Sequence, residues 1–161
     1  MQEILEYWQD VFKNNTGRDK TLDKLFKSKI YIGNAQDIME NQGFNYATDS
    51  LIVDFDETSY NAENTVNFRY VETFIIKVIY VIGRDNTVNK SIDNLKLDNK
   101  RGNANIIKDL SNIIFANKTS ELFTMINNVN SSNIEVEINE SKLTGCILNI
   151  ETVKHCWRKP L

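Results

Sequence analysis

The sequence predicts an α+β fold with a mainly antiparallel sheet, and three observations carry that prediction. Ile4, Leu5, Trp8, Val11 and Phe12 fall on one stripe of a helix. Phe74, Ile76, Val78, Tyr80 and Ile82 interleave with Ile75, Ile79 and Val81, so the run Tyr70 to Ile82 is apolar on both parities of a strand. Finally, Ile134, Val136 and Ile138 alternate with Glu135 and Glu137, a short polar turn follows, and Leu143 to Trp157 continues as a long partner strand, which makes a C-terminal β-hairpin.

The first helix stops where Asn14 to Gly17 supply C-terminal punctuation. Leu22, Leu25 and Phe26 suggest a further helical turn, followed by a short strand Lys29 to Gly33. The stretch Asn34 to Gly43 has no decisive period. Leu51, Val53 and Phe55 alternate with Ile52 and Asp54 as a second strand. After the apolar strand comes a polar stretch, Arg84 to Gly102, which reads as a long loop or arm. Ala104, Ile106, Ile107, Leu110, Ile113 and Ile114 define a central helix ending near Asn117. Leu122, Phe123, Met125, Ile126 and Val129 keep a helical spacing, with a strand as the alternative. The expected arrangement is an antiparallel sheet packed against the N-terminal and central helices.

A chain of 161 residues with 41% hydrophobic and 25% charged residues has the composition of one globular domain, taken here as 1–161. Its net charge of −3 gives no broad basic field for nucleic-acid phosphates. The N-terminus is acidic and amphipathic where a secretory signal would be basic and then apolar, so the chain is expected to stay soluble where it is made. A single proline and six glycines leave no linker of ordinary composition. Cys146 and Cys156, ten residues apart on one expected strand, are too distant to bridge and are read as reduced thiols.

Chemistry finds few footholds. Asp54, Asp56 and Glu57 form the best carboxylate group, and with Glu72 and Lys77 they outline a loose metal-dependent nuclease set. Positions 72 and 77 have opposite parity, however, which favours a solvated strand end. His155 is the only histidine, and its sequence neighbour Cys156 would face the other way on a strand. Gly83-Arg84 and Arg101-Gly102 are isolated and form no phosphate-cradling loop. We therefore expect no catalytic residue, no metal ligand and no cofactor, and a protein that is not an enzyme. Trp8, in register with Leu5 and Phe12, is assigned to the core. The candidate interface residues are Arg84, Ile92, Leu95, Leu97, Lys100 and Arg101 in the arm, and Trp157, Arg158 and Lys159 at the C-terminus.

The order of elements carries a resemblance. The amphipathic first helix, the strand closing in Tyr31-Ile32-Gly33, the strand Ser50-Leu51-Ile52-Val53-Asp54, the long strand Glu72 to Tyr80, the helix from Asn103 and the closing hairpin together resemble the tail-terminator and head-to-tail connector proteins of tailed bacteriophages. This likeness is architectural and covers nearly the whole chain. The chain departs from the pattern in the length of 84–102 and in the segment after Lys118. The resemblance implies a virion structural protein, made in the host cytoplasm and carried in the neck or tail. It further implies a homo-oligomeric ring that docks on portal, connector or tail proteins and leaves a channel for DNA without sequence-specific binding or membrane contact. The alternative is a small immunity or anti-defence module that binds another protein; the third reading is the nuclease built on Asp54 and Asp56.

Overall fold

The computed structural model describes residues 2–62, 69–84, 92–118, 120–123, 125–138 and 141–157, with backbone alone for 57, 61–62, 69, 92–103, 138, 141 and 156–157. In chain order the elements are α1 (Gln2–Lys13), β1 (Leu25–Ile32), α2 (Ala35–Glu40), β2 (Asp49–Ala62), β3 (Arg69–Val81), α3 (Ile92–Ala116), β4 (Met125–Ile138) and β5 (Ser141–Trp157). The strands form one sheet in the order β1-β2-β3-β5-β4. Only β1 and β2 run parallel; the other three pairings are antiparallel, and β4 and β5 form the C-terminal hairpin. The fold is α+β, as expected.

Alternation along the strands divides the side chains between two faces. On the first face Leu51, Val53, Ile76, Val78, Cys146, Leu148 and Ile150 are fully buried or nearly so, under the apolar stripe of α1 and under Leu110, Ile113 and Ile114 of α3. Trp8 is the centre of this layer, stacked on Phe123 with ring centroids 5.8 Å apart and planes 12° from parallel. Tyr7 ties α1 to the end of α3 by donating its hydroxyl to the Asn117 carbonyl at 2.9 Å. On the second face Ile52, Ile79, Val81 and Leu143 are covered by Ala35 of α2 and by Phe44. The two-sided apolarity of β3 is thus satisfied within the chain at the Val81 end.

Several expectations need correction. The turn of helix proposed at Leu22 to Phe26 is absent: Leu25 and Phe26 open β1, whose partner is Asp49 rather than a helical neighbour. The arm expected over 84–102 is helical from Ile92, so α3 begins about three turns before Asn103. Asn94, Asn99 and Gly102 are weak helix formers that concealed this half of α3 in the sequence. Residues 85–91 of the expected arm lie outside the described residues. Of the two readings left open after Lys118, the strand holds from Met125, where β4 starts and pairs with β5 from Val153 onwards. A bulge between Ile126 and Asn128 shifts the alternation by one residue, which turns a period of two into an apparent helical spacing.

Candidate interface

The strand order leaves two unlike edges. β1 meets β2 only at Asp49, Leu51, Ile52 and Val53. Ala35 then donates its backbone N–H to Asp54 Oδ2 at 3.0 Å, so the start of α2 caps the sheet at that point. From 55 to 62 no described strand lies on the side of β2 opposite β3, which leaves about 26 Å of open edge. At the other end of the sheet β4 is flanked by β5 alone, so its outer edge is open over all 14 residues among those described. This edge is polar but sparsely charged: Asn127, Asn128, Asn130, Ser131, Ser132 and Asn133 are exposed, and charge appears only at Glu135 and Glu137. Native edges are ordinarily blunted by charge, proline or cover, and an edge without them invites strand addition.

Aromatic surface gathers beside the first edge. Tyr60 is 65% exposed and Tyr70 39%, and their rings lie 6.3 Å apart near the end of the β2–β3 pair. The backbone of Trp157 pairs with Arg69 at the same end. Arg84 lies at the opposite end, about 40 Å away along β3, where its N–H donates to the Tyr46 carbonyl at 2.9 Å and its guanidinium stands 5.6 Å from the Tyr46 ring centre. The fold therefore keeps Arg84 and Trp157 apart. Ile92, Leu95, Leu97, Lys100 and Arg101 all fall in the first half of α3, where only the backbone is described. Arg158 and Lys159 lie outside the described residues.

The acidic group behaves as a strand end with a bulge. Asp54 stands opposite Lys77, and although the register shifts between Phe55 and Glu57, Asp56 keeps the side it was expected to share with Asp54. Asp56 forms a surface ion pair with that same Lys77 at 3.4 Å. Among the described residues no three His, Cys, Asp or Glu side chains gather closely enough to hold a metal ion. His155, expected at an exposed strand end, is half-buried beside β3, opposite Val71. Cys146 is a buried free thiol, and burial pushes it up to about 12.

Two buried polar groups escaped the sequence reading. Asp49 accepts the Tyr80 hydroxyl at one carboxylate oxygen and the Gly83 N–H at the other, the latter at 2.7 Å. Gly83 is required here by close approach, since a Cβ would sit 2.3 Å from the Thr48 carbonyl carbon. Lys29, also buried, donates to the Asn45 carbonyl with its ammonium 5.1 Å from the Phe44 ring centre. Burial holds its pKa below the ordinary lysine value. Lys29 holds Asn45 against the second face, whereas Asp49 meets Tyr80 on the first, and neither group lines a described cavity. No signal distinguishes them in the sequence, because a charged residue at the start of an apolar strand reads equally well as solvated.

No protein-family model matches this sequence, and no curated protein is significantly similar to it. Among the described residues no helix is long and apolar enough to cross a membrane. The candidate site is thus two sheet edges with no described strand beside them, with tyrosine surface next to one of them.

Proposed function

We propose that this chain is a ring-forming structural protein of a tailed-phage neck or tail, of the tail-terminator or connector kind, that leaves a channel for DNA. The observation that carries the reading is the pair of unlike open edges on one sheet. A contact that joins β4 of one copy to β2 of the next is head-to-tail, and such contacts close into rings when the rotation per subunit permits. Main-chain hydrogen bonds would supply the pairing, and Tyr60 and Tyr70 the apolar anchors beside it. The net charge of −3 suits a passage through which DNA slides without being held.

The test is the size of the purified protein by light scattering and negative-stain imaging, compared with Asn130→Lys/Ser132→Lys. Both positions are exposed on the β4 edge, so the fold should tolerate the change. Rings in the parent protein that are lost in the variant, with an unchanged melting temperature, support the proposal. A parent chain that stays monomeric at high concentration and on a tail-tube template counts against it and in favour of a protein-binding module.

A further inference from the structure

A cleft of about 320 Å³ opens on the second face of the sheet, between α2 and the end of β4. Met39, Phe44 and Val136 give it apolar walls, and Glu40 and Glu137 are its only charged lining residues. Its lining holds two carboxylates and no basic side chain, and Lys142 stands opposite Glu137 on β5. The sequence carries a complementary segment in Trp157-Arg158-Lys159-Pro160-Leu161, two cations between apolar residues. Yet this segment cannot reach the cleft of its own chain. Val136 pairs with Leu143 near the start of β5, and Trp157 ends that strand about 46 Å away. Residues 158–161 extend at most about 14 Å further.

We infer that the cleft receives the C-terminal segment of a neighbouring copy, with Arg158 and Lys159 meeting Glu40 and Glu137 and an apolar side chain of the segment resting on Met39, Phe44 and Val136. The inference rests on the ring reading for its neighbour and adds to it a specific clasp. Donor and acceptor lie at opposite ends of β5, so the clasp is head-to-tail, as the edge contact is. Charged groups in such a contact fix register and partner choice.

The experiment uses the full chain carrying Arg158→Glu/Lys159→Glu, which silences its own tail, and a fluorescent peptide of residues 154–161 with serine at the cysteine position. Saturable binding is expected, weakened about tenfold or more when Glu40→Gln/Glu137→Gln is added, with amide shifts in the parent cleft at Gln36, Met39 and Val136. Both glutamates are exposed, so their replacement should leave the melting temperature unchanged. Absence of binding, binding that ignores the glutamates, or equal binding of a scrambled peptide overturns the inference. Rings without peptide binding would leave the ring reading intact and remove the clasp. Peptide binding by a chain that never forms rings would do the reverse.

Discussion

At the scale of single residues, the strongest constraints are the buried polar groups that hold the 41–49 segment against the sheet. Asp49 is almost fully buried, so its carboxylate depends on the donors from Tyr80 and Gly83. Tyr80→Phe removes one charge-assisted hydrogen bond and should cost about 1.5–3 kcal/mol in urea unfolding. Asp49→Ala leaves two donors orphaned and should cost more than Tyr80→Phe in the same measurement. Cys146 sets a pH dependence. Its folded thiol titrates at about 12 against an ordinary 9.0, so between these values the unfolded state has lost a proton that the folded state keeps. The contribution is fully present below pH 9 and is lost as the pH rises toward 12, at up to about 1.4 kcal/mol per pH unit. Cys146→Ala should flatten the decline by that amount when unfolding is followed over this window. Tyr80, raised by burial and by Asp49, acts in the same direction, and Lys29, lowered by burial, in the opposite one, so the slope difference between parent and variant isolates the thiol.

Among the elements, α3 offers the sharpest check because its first half contradicts its composition. Gly102 stands inside a helix that runs from Ile92 to Ala116. Gly102→Ala should therefore stabilise the protein by about 0.8–1 kcal/mol and add far-ultraviolet helical signal on mild heating. A neutral effect would return the segment to the loop first read there. The same comparison shows what the sequence could reveal. α1 and the β5 partner strand were legible because their apolar residues keep one period over many positions, and β3 because its long run is apolar on both parities. The first half of α3 was not, since Ile92, Leu95 and Leu97 are too few among asparagine, aspartate and lysine to fix a face. Residues 118–129 stayed open between helix and strand because a bulge in β4 breaks their alternation. Of the candidate interface residues, Trp157 was put at a strand end correctly. The open edges were invisible, because an edge depends on which strands lie beside it and no local pattern records that.

For the whole molecule, the question is whether the two edges meet each other or each meets its own copy. Joining β4 to β4 across a two-fold axis makes a closed dimer, whereas joining β4 to β2 makes a polar contact that continues around a ring. The two cases separate when each edge is blocked in a different chain. Asn130→Lys/Ser132→Lys disables β4, and Ser59→Lys/Tyr60→Lys disables the open part of β2. In the head-to-tail case neither variant alone can form the edge contact, because it needs one edge of each kind. An equimolar mixture then forms a dimer from the one intact β2 and the one intact β4 and grows no further. If β4 pairs with β4 instead, the variant blocked at β2 still dimerises through β4, and mixing adds nothing. Sedimentation velocity on the two variants and their mixture reads this directly. A mixed species that stops at two subunits is the result expected of a sheet whose edges differ as much as these.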